Sequence, residues 1–205
     1  MTENPAAKPG ADVLKWALWG AAALGVAFAI YIIGQALKPA GGDPDIQHLA
    51  RGQMAKLRAA PQAQPAPLHV VYDGSGKAVR IADFKGQVVV MNLWATWCAP
   101  CVLEMPTLAG LQKHYAGRPV KVVAVSMDAE KDAAKAQAFI ARNAPLDFYI
   151  DRERKMPFVL VPPESGMPTT VIYGRDGLER ARLSGEADWT SKDARALIDA
   201  VLAER

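Results

Sequence analysis

The sequence predicts an α/β sandwich, with helices layered on a mixed central sheet, preceded by a single membrane-spanning helix. Two observations predict the sandwich and a third predicts the span. Val88-Val-Val-Met-Asn-Leu-Trp94 and Val120 to Ser126 are near-continuous apolar runs, as strands buried on both faces require. Helical patterns follow each of these runs, so helices cover the sheet. Far upstream, Trp16 to Gly34 carries no charged residue. The 205 residues fit one ordinary domain with extra segments, and 51% apolar content suits a sizeable core. The net charge of +3 comes from scattered Lys and Arg rather than a basic block, which gives no case for nucleic-acid binding.

Residues 1–15 form a short N-terminal tail, and 16–37 form the anchor. As a helix rising about 1.5 Å per residue, the uncharged stretch spans roughly 30 Å, the thickness of a bilayer's hydrocarbon core. Trp16, Trp19 and Tyr31 lie towards its ends, where amphipathic rings favour the membrane–water interface. A cleaved signal peptide has a shorter apolar region and an A-x-A-like site, and neither is seen here. Residues 38–67 read as a linker: a Gly/Pro break, a short helix over 45–59, then the semi-rigid Pro61-Gln-Ala-Gln-Pro-Ala-Pro67. Whether that helix is a spacer or packs on the domain stays open.

Residues 68–205 form the globular part. Leu68 to Tyr72 and Ala78 to Ile81 are short strands around Asp73-Gly-Ser-Gly76. After the strand ending at Trp94, a helix carries Leu103, Leu108, Leu111 and Tyr115 on its pattern. The strand Val120 to Ser126 precedes an Ala- and Lys-rich helix over 129–142, with Ala134, Ala138 and Phe139 expected inward. Leu146 to Ile150 is a further strand, and Thr169 to Tyr173 with Leu178 to Leu183 a hairpin. Ser191 caps a closing helix through Leu197, Ile198, Val201 and Leu202.

The chain has two cysteines, Cys98 and Cys101, in Cys98-Ala-Pro-Cys101. Two are too few for a disulfide framework or a closed structural zinc site, which leaves a redox pair, a two-coordinate soft-metal site or a chance spacing. Their place between strand and helix has a physical logic. Unpaired N–H groups and the dipole at a helix N-terminus favour an anion. A thiol there falls from about 8.5 into roughly the 3.5–7.5 range. Cys98 would then attack a disulfide and Cys101, one turn along, would resolve the mixed disulfide. Pro100 costs the helix start nothing, because its missing N–H has no partner there.

Asn92-Leu-Trp-Ala-Thr-Trp-Cys-Ala-Pro-Cys-Val-Leu-Glu-Met-Pro106, with Gly166-Met-Pro-Thr-Thr170 downstream, resembles the TlpA/ResA-like thioredoxins. Gly185-Glu-Ala-Asp-Trp189 is similar to the TlpA branch of that family. The resemblance covers Leu68 to Arg205 and implies a thioredoxin-like fold and thiol:disulfide oxidoreductase activity. It also implies a bacterial inner-membrane protein, single-pass, with its N-terminus cytoplasmic and its catalytic domain periplasmic. Charge alone does not fix that orientation, since Lys8 and Lys15 are matched by Lys38, Arg51, Lys56 and Arg58.

Residue by residue, the resemblance makes Cys98 the nucleophile, Cys101 the resolving thiol and Glu104 the acid that exchanges a proton with Cys101. Asn92 stands where general thioredoxins carry a buried acid. Met167-Pro168 should be a cis bond, and Trp97, Met167, Pro168 and Thr169 should meet an extended substrate. The resemblance implies disulfide-containing protein substrates, among them apocytochrome c components or copper-site proteins of cytochrome oxidase assembly. It implies a membrane thiol reductase as electron donor. Arg152 to Gly166, with Pro157, Pro162 and Pro163, departs from the family's usual helix and is expected to be irregular.

No cofactor or metal is expected. His48, His69 and His114 are far apart and read as solvent-facing, and Met91, Met105, Met127 and Met156 as core fillers. A peroxiredoxin reading would need Thr or Ser three residues before the reactive cysteine, where Ala95 stands. The remaining alternative is a copper(I) carrier that uses the two thiolates without redox turnover.

Overall fold

A computed structural model describes residues 44–204 continuously and, within the N-terminal apolar segment, residues 16, 18–22, 24–26, 28 and 29. Those N-terminal residues are helical, with Trp16, Leu18, Trp19, Leu24, Val26 and Phe28 exposed. Among the described residues no helix is long and apolar enough to cross a membrane. Much of the anchor expected over 16–37 lies outside them.

The chain divides into two compact units, Met1–Pro39 and Ala40–Arg205. The second is built on one eight-stranded sheet of order β1-β8-β7-β4-β5-β6-β2-β3. Its strands are β1 (Leu57–Ala59), β2 (Val70–Asp73), β3 (Ala78–Arg80), β4 (Val88–Trp94), β5 (Val120–Ser126), β6 (Tyr149–Ile150), β7 (Thr169–Tyr173) and β8 (Glu179–Ser184). β4 and β5 pair in parallel, as do β5 and β6, and every other pairing is antiparallel. The sheet is therefore mixed, as its sequence implied. Every residue of β4 is buried, so both faces of the sheet are covered at its centre.

The helices are α1 (Pro44–Gln47), α2 (Ala99–His114), α3 (Ala133–Ala141), α4 (Met156–Val159) and α5 (Lys192–Ala203). The Tyr115 hydroxyl at the end of α2 donates to the Arg195 carbonyl in α5 at 3.1 Å, which ties these two helices together. Ser191 caps α5 as expected, accepting from the Ala194 N–H at 3.2 Å.

Several expectations are corrected. The helix read over 45–59 is instead α1, a 3-10 turn at Gly52–Met54 and β1. Ile46, Leu49, Met54 and Leu57 are buried, and β1 joins the sheet through Leu57↔Leu183. This segment packs on the domain. A helix-like apolar spacing over a short run also serves a turn followed by an edge strand, which is why the two were confused. In α3 the inward residues are Ala136 and Ile140, with Phe139 packed against Trp94 as expected, while Ala134 and Ala138 are exposed. Leu103 on α2 is 72% exposed rather than packed. His69 is not solvent-facing: its Nε2 lies 2.9 Å from Asp151 Oδ1, with only 12% of its side chain exposed.

Residues 152–166 are irregular apart from the single turn of α4. The fully buried Asp151 organises this stretch, accepting from the N–H groups of Glu153, Arg154 and Met156. Buried Arg182 on β8 holds its far end through the Pro162 carbonyl at 2.6 Å and Glu164 Oε1 at 3.2 Å.

Candidate active site

β4 runs out at Trp94, and α2 starts at Ala99 with Cys98 as its N-cap residue in extended conformation. The turn Ala95–Trp97 between them is tightly tethered. The Cys98 N–H donates to the Ala95 carbonyl at 3.1 Å, and the Met127 N–H to the Trp94 carbonyl at 2.8 Å. Cys98 and Cys101 form a disulfide with Cα atoms 5.3 Å apart. Cys98 is 7% exposed and Cys101 0%, so the first cysteine is the one solvent reaches. Pro100 occupies the first turn, and α2 continues through Pro106.

Thr169 pairs with Leu93 in the sheet. That register brings the cis Met167-Pro168 bond to the end of β4 from which the dithiol turn leaves. Met167 is half-buried and Pro168 buried. The buried Thr169 side chain is turned inward, its hydroxyl donating to the Gly166 carbonyl at 2.8 Å, and its backbone is paired with Leu93 of β4 and Ser184 of β8. Trp97, beside Cys98, is 67% exposed.

Glu104 lies one helical turn beyond Cys101 on the same buried face of α2. Its Oε1 accepts from Asn92 Nδ2 at 2.7 Å, and its Oε2 from the Ala187 N–H at 3.1 Å and Trp189 Nε1 at 3.3 Å. Burial pushes its carboxyl up to about 7, and the three hydrogen bonds only partly oppose that rise. The exposed Glu186 adds to it through like-charge repulsion. Asn92 Nδ2 also reaches Thr170 Oγ1 at 2.9 Å, so Asn92 links β4, β7 and the acid. Glu104 lines a cleft of about 510 Å³ shared with Lys56, Leu103, Thr107, Glu186 and Asp188. A carboxyl near neutrality, buried on the side of the resolving thiol and bordering this cleft, can carry a proton between that thiol and water.

The comparisons agree with this chemistry. A family model described as AhpC/TSA matches residues 61–177. The chain belongs to the AhpC/TSA family. Within that family it is similar to the thiol-disulfide oxidoreductase ResA of Bacillus cereus, 30% identical over 140 residues, 67% of this chain and 78% of that protein. ResA of Bacillus subtilis is 32% identical over 117 residues, 57% of this chain and 63% of that protein. Among solved structures, one described as a thiol:disulfide interchange protein DsbE from Chlorobium tepidum superposes with TM-score 0.61 at 27% identity, covering 69% of this chain and 97% of the other. This AhpC/TSA member is a thiol:disulfide oxidoreductase of thioredoxin-like fold, with Cys98 and Cys101 as its CxxC pair.

Sequence reading missed Asp128, Thr96 and Trp189 in this site. Trp189 is fully buried and reaches Glu104 from the loop before α5, a contact that only tertiary structure shows. Asp128 left a trace, as an acid immediately past a strand buried at its end. Among the described residues no group of three or more His, Cys, Asp and Glu is arranged to hold a metal ion.

Proposed function

We propose that this oxidoreductase is anchored in the bacterial inner membrane by its N-terminal segment, with the dithiol domain in the periplasm, and reduces disulfides in partner proteins. The observation that carries the reading is the redox pair at the start of α2, flanked by the Met167-Pro168 loop and backed by Glu104. The uncharged stretch over 16–37 supports the anchor, because it is long enough to span the hydrocarbon core. Resemblance to the TlpA/ResA-like proteins supports the compartment and the N-terminus-in orientation.

In the reduced enzyme, the Cys98 thiolate attacks one sulfur of a substrate disulfide. A Cys98–substrate bond forms, the substrate bond breaks, and the departing substrate sulfur takes up a proton. Glu104 accepts the Cys101 proton, the Cys101 thiolate attacks Cys98 Sγ, the Cys98–substrate bond breaks, and the second substrate sulfur leaves and takes up the proton that Glu104 releases. The products are a substrate dithiol and the Cys98–Cys101 disulfide seen here. Trp97 and the backbone of Met167 receive the substrate chain, while Pro168 and Thr169, already tied to Gly185 and to the neighbouring strands, shape the loop that presents it. A membrane thiol reductase returns the enzyme to its dithiol form. Apocytochrome c components and the copper-site proteins of cytochrome oxidase assembly are the proposed substrates.

Replacing Cys101 with Ala should leave Cys98 joined to its substrates through mixed disulfides that mass spectrometry can identify. Cys98→Ala should capture none. Copper titration of the reduced protein tests the carrier alternative. Tight stoichiometric copper(I), with no thiol-dependent reduction of insulin, would replace the oxidoreductase assignment with a carrier.

A further inference from the structure

Asp128 lies just beyond β5, fully buried, and serves the turn that precedes Cys98. Its Oδ1 and Oδ2 accept from the Thr96 N–H at 3.2 and 3.0 Å, and Oδ1 also accepts from the Thr96 hydroxyl at 2.7 Å. Oδ2 accepts from the buried Ser126 hydroxyl at 2.8 Å, while the Asp128 N–H donates to Ser126 Oγ at 3.1 Å. All these side-chain partners are neutral donors, an arrangement that suits an ionised carboxylate. Thr96 stands two residues before Cys98, and both its donors point at Asp128 rather than at the sulfur.

We propose that Asp128 is a positioning residue for the dithiol, holding the Thr96 donors away from Cys98 and setting a fixed negative charge behind the active-site turn. Both effects disfavour the thiolate. Cys98 is therefore less acidic, and the pair more strongly reducing, than a bare helix N-terminus would make it. The proposal rests on Cys98 being the nucleophile. The other ionisable groups on the elements around the dithiol are Glu104, with Lys113 and His114 in the last turn of α2, and Lys121 on β5, which pairs with Asp147. Glu130, Lys131 and Asp132 follow Asp128, Glu130 pairing with Arg152 at 3.3 Å, and Glu186 acts on Glu104. The Met167–Thr169 loop brings none.

The test compares the reduced wild type with Asp128→Asn, Asp128→Ala and Thr96→Val. Cys98 alkylation is followed against pH, the pair is equilibrated with glutathione, and each variant's melting is recorded. Both charge-free variants should lower the Cys98 pKa by roughly half a unit to one unit. Below the midpoint that raises the thiolate fraction about three- to tenfold. The glutathione equilibrium should shift towards the reduced enzyme. Alanine leaves room for water at the same donors, so it serves if the asparagine amide is rejected. Thr96→Val keeps the carboxylate and should lower the melting temperature without lowering the Cys98 pKa. An unchanged or raised pKa in the charge-free variants overturns the proposal, as does an equal lowering in Thr96→Val. Failure of the nucleophile assignment looks different, because wild-type Cys98 would then titrate like a free cysteine.

Discussion

Glu104 holds its proton to about pH 7 in the folded chain and to about 4.5 in the open one, with burial as the main cause. Between those values the native state keeps a proton that the unfolded state has released, so stability falls as pH rises. The contribution is complete below pH 4.5 and gone above about 7, and the shift is worth up to about 3 kcal/mol. In the oxidised protein, where the cysteines do not titrate, Glu104→Gln should flatten that part of the stability profile, read as urea midpoints at pH 4.5 and 7.5. The same variant should slow dithiol turnover about 100-fold or more and abolish an inflection near pH 7, since it can neither take nor return a proton. Asn92→Asp tests the site from the other side. It would set a second carboxylate against Glu104 Oε1, where a donor now sits at 2.7 Å. The pair would share one proton, and the activity profile should move to higher pH. An unshifted profile in Asn92→Asp would argue that Glu104 takes no part in proton transfer.

At the scale of elements, the segment ahead of the domain behaves as part of its core. Met54 is fully buried, so Met54→Ala should cost about 2–5 kcal/mol in denaturant unfolding. Leu103→Ala, on the solvent side of α2, should change stability by no more than about 0.5 kcal/mol. β1 is an edge strand of the sheet, and the Ala59 N–H donates at 2.9 Å to Gln47 Oε1 instead of being left open. The major elements were legible because their signals are local. β4 and β5 are apolar runs of strand length, the β7–β8 hairpin turns on Gly174-Arg-Asp-Gly177, and Ser191 marks the start of α5. β1 was not legible, because its three residues have a meaning only beside β8. On α3 Phe139 was placed inward correctly but Ala134 and Ala138 were not, because a run of alanines gives little contrast between faces.

For the whole molecule, the compact unit over 40–205 contains every residue of the proposed chemistry. A fragment beginning at residue 40 should therefore keep full insulin-reductase activity in solution. The complete chain should sediment with membranes and leave them only in detergent. One beginning at residue 61 lacks Ile46, Leu49, Met54 and Leu57 from the core and should be far less stable. The dithiol was legible from its place at a strand–helix junction, and the cis proline and Glu104 came from the family resemblance. Asn92 was placed at the site but not as the partner of Glu104, and Trp189 and Asp128 were not placed there at all, because these contacts converge from separate loops and strands. The central claim is that the fold makes Cys98 an acidic, reachable nucleophile while Cys101 is shielded. Alkylating the reduced enzyme with iodoacetamide from pH 4 to 10, with mass mapping of the modified residue, tests it most directly. The account predicts that Cys98 alone reacts at first, with a midpoint between about 3.5 and 7.5. Equal labelling of both cysteines with a midpoint near the ordinary ~8.5 would contradict it.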